Sequence, residues 1–195
     1  MRPLVIYLHG FNSSSQSKKG QQLLHYVAEQ QLPIDAMAPT FANYPAQAHQ
    51  QVVDLIEAEQ AAGREQIALI GSSLGGFMAT CVAEQFGLKA VLINPAVEPH
   101  VLVEFLLGEH RNDHTGETFV LTRQHSQELQ SLELKALSRP QNYWLMLQAG
   151  DETLDYRQAK AYYQDCQQLI EQGGNHGFEN FDQHLPQVMQ FLELA

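Results

Sequence analysis

The chain has 195 residues, which suits one domain, and its hydrophobic fraction of 44% is ordinary for a globular protein. Its 22 acidic and 11 basic residues give a formal net charge of -11, which argues against nucleic-acid binding because phosphates are repelled. No apolar run approaches the roughly 18 residues that cross a bilayer, and the first run is too short for a signal peptide. We therefore expect a cytoplasmic protein without membrane insertion.

Short apolar runs typical of buried strands alternate along the chain with segments of helical spacing. The predicted strands cover residues 4–8, 34–38, 66–70, 89–93, 143–148 and 167–171. The predicted helices between and after them cover residues 18–30, 46–61, 74–86, 155–165 and 185–194. This alternation predicts an α/β fold with one doubly wound, mostly parallel sheet of about six strands and helices on both faces.

Residues 98–137 interrupt this rhythm between the fourth and fifth predicted strands. Residues 101–107 have helical spacing, residues 108–117 are polar and rich in turn formers, and residues 124–134 predict a second helix. A long excursion between strands is usually either functional or disordered, and the apolar residues here argue against disorder. We expect a small helical lid over the sheet edge, within a single domain that spans residues 1–195.

The pentapeptide Gly71-Ser72-Ser73-Leu74-Gly75 matches the pattern G-x-S-x-G. It follows a predicted buried strand and opens a predicted helix, which is the context that a nucleophile elbow requires. The alternative interpretation of these five residues is a tight turn with two capping serines. The strand–turn–helix context favours Ser73 as a catalytic nucleophile, and the register leaves Ser72 a packing or hydrogen-bonding role.

His9-Gly10-Phe11 follows the first predicted strand. Enzymes with a nucleophile elbow take one oxyanion donor from the residue after the nucleophile and the other from a loop after an early strand. The backbone N–H groups of Phe11 and Leu74 are therefore the predicted oxyanion hole. We expect His9 to orient this loop, since it precedes the serine. Asn12 starts a polar run that either caps the next helix or lines the pocket, and we name it as a candidate substrate-binding residue.

A catalytic serine needs an imidazole base and a carboxylate that orients the imidazole. Asp151 follows the strand that ends near Gln148, so its side chain is expected at the same sheet edge as the serine. Asp155 and Glu152 are the alternatives, and Asp155 is better placed to cap the helix that follows it.

The predicted base is His176, which lies in the glycine-rich loop after the last predicted strand. It satisfies the chain order serine, acid, histidine that this arrangement requires. His184 comes at the start of the final predicted helix and is expected at the surface.

Metal-binding patterns are weak in this sequence. Cys81 and Cys166 are too few for a four-cysteine zinc site, and we expect both to be buried free thiols. His110 and His114 are spaced four apart, but the residues between them indicate a turn. We predict no metal and no cofactor.

Taken together, the motifs are similar to those of the small bacterial YqiA-like esterases, a compact branch of the α/β-hydrolases. The similarity runs nearly end to end, and its most specific stretches are Leu8-His9-Gly10-Phe11-Asn12-Ser13-Ser14, Gly71-Ser72-Ser73-Leu74-Gly75-Gly76, Val91-Leu92-Ile93-Asn94-Pro95-Ala96, residues 150–159 from Gly150-Asp151-Glu152-Thr153, and Glu171-Gln172-Gly173-Gly174-Asn175-His176-Gly177-Phe178.

The resemblance implies a carboxylic-ester hydrolase, with acyl thioesters as a further substrate class. It places the catalytic triad on Ser73, Asp151 and His176, and it implies a trimmed sheet that begins at the strand carrying the oxyanion loop. Thr153 departs from the valine that many such proteins have, without touching a catalytic position.

Two alternatives to ester hydrolysis stay open. The same triad serves thioester or amide substrates, and a catalytically silent α/β-hydrolase can act as a ligand receptor or scaffold. A silent relative usually loses a triad residue, whereas this chain keeps all three. The expected partner is thus a small-molecule ester or acyl thioester, with acyl length and oligomeric state left open.

Overall fold

The computed structural model describes residues 1–194, and its main element is a six-stranded sheet in which all neighbouring strands are parallel. The strands of this sheet are β1 (Leu4–Leu8), β2 (Asp35–Met37), β3 (Ile67–Ser72), β4 (Lys89–Ile93), β7 (Tyr143–Gln148) and β8 (Gln167–Glu171). Their spatial order is β2-β1-β3-β4-β7-β8. The order reverses between β1 and β3, and crevices at the carboxyl ends of the strands beside such a switch point are common ligand sites.

Helices cover both faces of the sheet, as the alternating pattern predicts. They are α1 (Lys18–Glu29), α2 (Pro45–Ala61), α3 (Leu74–Phe86), α4 (Pro99–Glu104), α5 (Arg123–Leu132), α6 (Tyr156–Tyr162) and α7 (Phe181–Phe191). Because strand side chains alternate between faces, Leu4 and Ile6 join the core under α2 and α3, whereas Val5 and Tyr7 join the core under α1 and α7. The α/β class and the parallel sheet are therefore confirmed.

The buried Arg64 side chain connects the edge strand β2 to helix α2. The Arg64 side chain is only 6% exposed and pairs with Glu59 at 2.6 Å and Asp35 at 2.8 Å. It also donates to the carbonyl oxygen of Arg2. These contacts join the end of α2 to β2 and to the segment before β1.

The segment 98–137 contains a β-hairpin that the sequence analysis missed. Strands β5 (Gly108–Arg111) and β6 (Thr118–Leu121) pair antiparallel between α4 and α5. The polar composition of residues 108–117 masks the first strand, because the hairpin buries one face only. Phe119 and Leu121 supply that buried face. The two predicted helices are present, although α4 spans Pro99–Glu104 rather than residues 101–107.

Cys81 and Cys166 are buried free thiols, as predicted. His184 was expected at the surface, but its side chain is only 16% exposed, since it packs 3.1 Å from the Glu171 carboxylate. Within residues 1–194, no helix combines the length and the apolar character that a membrane crossing needs.

Candidate active site

Ser73 lies on a sharp turn between β3 and α3, with a φ of 56° in the left-handed region. A serine rarely adopts this conformation unless the surroundings impose it. Gly71 and Gly75 allow the turn, since a Cβ on Gly71 would lie 2.3 Å from the Gly75 carbonyl oxygen. A Cβ on Gly75 would lie 2.1 Å from the carbonyl oxygen of Leu8. The turn therefore has the backbone of the predicted nucleophile elbow.

The three predicted triad side chains form a continuous hydrogen-bond chain. The Ser73 Oγ lies 3.0 Å from His176 Nε2, and His176 Nδ1 lies 2.8 Å from Asp151 Oδ2. With a neutral imidazole, Nδ1–H donates to the carboxylate and Nε2 accepts from the serine hydroxyl. The tertiary fold thus brings together residues 103 and 25 positions apart in the chain.

The Asp151 carboxylate is held in one orientation. Its side chain is 1% exposed, and its Oδ1 accepts from the N–H groups of Thr153 and Leu154, each at 2.8 Å. Burial raises the pKa of Asp151, but the hydrogen bonds from His176 and from these two N–H groups outweigh it, so the pKa lies below its usual value. The carboxylate is therefore ionised at neutral pH and fixes the imidazole through Nδ1.

The alternative acids have other partners. Asp155 caps α6 by accepting from the N–H of Arg157 at 3.0 Å, as expected from its position. Glu152 accepts from the backbone N–H of His176 at 3.0 Å. Glu152 therefore holds the histidine loop by its backbone, and Asp151 alone of the three contacts the imidazole ring within the described residues.

Asn94, to which the sequence analysis assigned no role, anchors the histidine loop. It follows β4 and has a φ of 41°. Its Nδ2 donates to the carbonyl oxygens of Asn175 at 3.1 Å and His176 at 3.2 Å, and its Oδ1 accepts from the N–H of Gln148 at 3.0 Å. The sequence does show an asparagine directly after a buried strand. It does not show the hydrogen-bond partners of this asparagine, because they lie more than 50 residues away along the chain.

Two further side chains hold the same loop. The buried Gln148 Oε1 accepts from the N–H groups of Asn175 at 3.1 Å and Glu179 at 2.8 Å. Lys19 Nζ donates to the carbonyl oxygen of Gly177 at 2.7 Å. Burial lowers the pKa of Lys19 to about 8. The backbone on both sides of His176 is therefore fixed by side chains from β7 and α1.

Phe11 and Leu74, whose backbone N–H groups are the predicted oxyanion donors, both line the cavity that contains Ser73. Among residues 1–194, neither N–H donates to another protein group, so both are free to bind a substrate oxygen. His9 holds the loop behind them: its Nε2 accepts from the N–H of Phe41 at 3.0 Å, and its Nδ1 lies 2.9 Å from the carbonyl oxygen of Gly10. Burial lowers the pKa of His9, which keeps the ring neutral for this pair of contacts.

Asn12, the candidate substrate-binding residue, lies beside a second cavity. That cavity has a volume of about 40 Å³ and is also lined by His9 and Phe41. Asn12 is not among the residues around the Ser73 cavity. This position gives no support to a direct contact between Asn12 and substrate.

The Ser73 cavity has a volume of about 600 Å³ and is lined by both apolar and polar residues. The apolar ones include residues of α4 and those directly after it, namely Pro99, Leu102, Val103, Phe105 and Leu106. The polar ones include Tyr7, Ser13, Ser17, Lys18, Lys19 and His114. Such a mostly apolar pocket with convergent polar groups is typical of a small-molecule site.

The two histidines of the hairpin, His110 and His114, lie in different surroundings. The His110 ring stacks on Phe119, with ring centroids 5.6 Å apart. His114 borders the Ser73 cavity from the hairpin tip. No group of three or more potential metal ligands occurs within residues 1–194.

Solved structures with the same fold are hydrolases and esterases by name. A protein assigned as a hydrolase from Agrobacterium vitis S4 has a TM-score of 0.78 at 16% identity, over 100% of this chain and 88% of that one. Est1E from Butyrivibrio proteoclasticus, bound to ferulic acid, has a TM-score of 0.71 at 14% identity, over 98% and 87%. The esterase domain of a Rhodothermus marinus protein has a TM-score of 0.70 at 19% identity, over 99% and 87%.

At these identities the likeness shows the fold, which is that of the α/β-hydrolases. A family model matches residues 4–193, nearly the whole length of this chain. The description of that model is "Uncharacterised protein family (UPF0227)". This match confirms the resemblance inferred from the sequence motifs, and the chain belongs to UPF0227, the YqiA family.

Proposed function

We propose that the protein is a serine esterase that hydrolyses carboxylic esters through a covalent acyl-enzyme. The observation that carries the proposal is the hydrogen-bond chain from Ser73 through His176 to Asp151, located at a cavity large enough for a small molecule. A nucleophile, a base and a group that orients the base are the three parts that covalent acyl transfer needs.

In the first half of the reaction, His176 Nε2 takes the proton of Ser73 as the serine oxygen attacks the ester carbonyl. The carbonyl oxygen becomes an oxyanion, and the N–H groups of Phe11 and Leu74 stabilise it. One such donor is commonly worth about 3 kcal/mol in the transition state. His176 then gives its proton to the leaving alcohol, and the acyl group remains on Ser73.

In the second half, a water molecule replaces the alcohol. His176 takes a proton from this water, which attacks the acyl carbon, and the proton then passes to Ser73 as the acid leaves. Asp151 stays ionised throughout and stabilises the imidazolium that forms in each half. None of these steps requires a cofactor.

The cavity supports an ester or acyl thioester with an apolar portion. Leu102, Phe105 and Leu106 line the cavity with apolar side chains, whereas other lining residues carry hydroxyl and amine groups. Thioesters follow the same acyl-enzyme route, with a thiol as the leaving group. The three apolar side chains belong to residues 98–137, and we propose that this segment acts as the lid of the site.

The first test is labelling with a fluorophosphonate probe together with hydrolysis of p-nitrophenyl esters. Wild-type protein is expected to react with both, and Ser73→Ala to lose both while its circular dichroism spectrum stays unchanged. Ser72→Ala is the matched control, since it removes a neighbouring hydroxyl and should keep the label.

A panel of esters and acyl thioesters of graded length then assigns the preferred substrate class. A folded wild-type protein that neither takes up the probe nor turns over any member of the panel would support the receptor or scaffold alternative. Full activity in Ser73→Ala would refute the assigned nucleophile.

A further inference from the structure

The β5–β6 hairpin contacts the loop that carries the proposed oxyanion donor. The Phe11 ring packs edge-on against two hairpin rings, His110 at 5.6 Å and Phe119 at 5.8 Å between centroids. Phe11, which lines the Ser73 cavity, is thus held by its side chain against the hairpin. This contact alone leaves the loop backbone beyond Phe11 unrestrained.

Asn112, the first residue after β5, supplies that restraint. Its side chain is buried, and the whole residue is 1% exposed. Asn112 Nδ2 donates at 2.9 Å to the carbonyl oxygen of Ser13, two residues beyond Phe11. The same nitrogen donates at 2.9 Å to Asn43 Oδ1.

The other side of the Asn112 amide shapes the hairpin tip. Its Oδ1 accepts from the N–H groups of His114 at 3.0 Å and Thr115 at 3.2 Å. Both hydrogens and both lone pairs of the amide are therefore used. A buried amide with all four positions occupied has one orientation, so it links the tip and the oxyanion loop rigidly.

Neighbouring residues hold the same loop at other points. Asn43, which accepts from Asn112, itself donates to Glu117 Oε2 of the hairpin at 2.7 Å. The hydroxyl of Thr40 accepts from the N–H of Ser15 at 2.9 Å. The segment around residues 40–43 and the hairpin therefore act as one support, and Asn112 is the side chain that connects this support to the loop at Ser13.

We propose that Asn112 is a positioning residue for ester hydrolysis, which fixes the Ser13 carbonyl and through it the direction of the Phe11 N–H. This inference rests on the proposed esterase function. An oxyanion donor acts only if it lies about 2.7–3.1 Å from the developing charge. A misplacement of about 1 Å can cost on the order of 100-fold in rate. Asn112 therefore acts on the transition state without touching substrate.

The decisive variant is Asn112→Asp, because it separates the two roles of the side chain. A carboxylate still accepts from His114 and Thr115 and so keeps the hairpin tip, but it has no hydrogen to donate to Ser13. Asn112→Ser removes the amide nitrogen that donates to Ser13, leaves a shorter side chain and adds no charge, so it covers the case in which the buried carboxylate prevents folding.

The matched control is Ser126→Ala in the same segment. The buried Ser126 hydroxyl donates to the carbonyl oxygen of His100 at 3.1 Å, joining α5 to α4 without contacting the oxyanion loop. Its removal costs one buried hydrogen bond of the insertion and leaves Ser13 restrained. All three variants are compared for kcat, KM, thermal midpoint and inhibition by an alkyl boronic acid, which mimics the tetrahedral intermediate.

We expect Asn112→Asp and Asn112→Ser to lower kcat at least about tenfold with KM within about twofold. The boronic acid should bind these variants more weakly by a similar factor, since analogues of the transition state follow its stabilisation. Ser126→Ala should lower the thermal midpoint and leave kcat within about twofold.

Two results would overturn the proposal. In the first, a folded Asn112 variant keeps wild-type kcat and boronic acid affinity. In the second, Ser126→Ala loses as much kcat as the Asn112 variants, which would show a general effect of destabilising the insertion. Failure of the esterase proposal itself is recognised separately, because wild-type protein would then lack Ser73-dependent hydrolysis.

Discussion

Replacing Asp151 by asparagine tests the proposed triad at its least obvious residue. Asp151 Oδ1 accepts from the N–H groups of Thr153 and Leu154 at 2.8 Å each, and an asparagine oxygen can keep both bonds. Its amide nitrogen then takes the place of Oδ2, opposite His176 Nδ1. Since that nitrogen can only donate, Nδ1 must accept, and the imidazole proton moves to Nε2.

The consequence for catalysis follows from this change of tautomer. An Nε2 that carries the proton cannot take one from Ser73, which lies 3.0 Å away. An equivalent loss of the correct tautomer in a Ser-His-Asp enzyme lowers kcat about 10⁴-fold. We expect a loss of this size for Asp151→Asn, measured as steady-state hydrolysis of a p-nitrophenyl ester near pH 7.5.

Asp155→Asn is the control for this experiment. Asp155 was the alternative acid in the sequence, and asparagine can still cap α6. Its kcat should stay within about twofold of wild type. If Asp151→Asn kept more than about a tenth of wild-type kcat, or if Asp155→Asn lost as much, the assignment of the triad acid would be wrong.

The Asp151→Asn substitution should also change how the free energy of unfolding depends on pH. The pKa of Asp151 is lowered in the folded protein, so its stabilising effect is present above the unfolded value of about 3.9 and is lost as pH falls through the folded value. Urea unfolding should therefore show a larger difference between wild type and Asp151→Asn at pH 6 than at pH 3.

The remaining predictions concern cavity shape and a buried ion pair. Leu102 lines both the 600 Å³ cavity and a neighbouring one of about 220 Å³, so Leu102→Ala should widen the connection between them and raise kcat/KM for p-nitrophenyl octanoate relative to butyrate by about tenfold. Leu107→Ala, which borders neither cavity, should leave the ratio unchanged. An equal ratio in both variants would refute this role of Leu102. Arg64→Met removes the buried cation and leaves the largely buried Glu59 carboxylate without its partner, so it should lower the free energy of unfolding by about 3 kcal/mol in urea titration. The other partner, Asp35, is 41% exposed and contributes less. Arg157→Met breaks an exposed pair and should cost under about 1 kcal/mol, and similar losses for the two variants would contradict the role of burial.

The sequence alone determined the sheet and the positions of the candidate site along the chain. Apolar strand runs followed by glycine are local patterns, and the elbow at Ser73 is one of them. In a parallel sheet the carboxyl ends of the strands lie at one edge, so residues that follow strands are brought together there. For this reason Ser73, Asp151 and His176 could be predicted before their side chains were seen within hydrogen-bond distance.

Only the tertiary structure decided what holds those residues in place. Asn94 bonds to carbonyl oxygens 81 and 82 positions away, and Asn112 bonds to Ser13 across 99 positions. A lone asparagine in a turn has the same local appearance whether its amide faces water or a buried carbonyl. The hairpin was missed for a related reason: a strand that buries one short face against distant residues such as Phe11 leaves little periodicity in its own sequence. Contacts made by folding, rather than local patterns, created these supports.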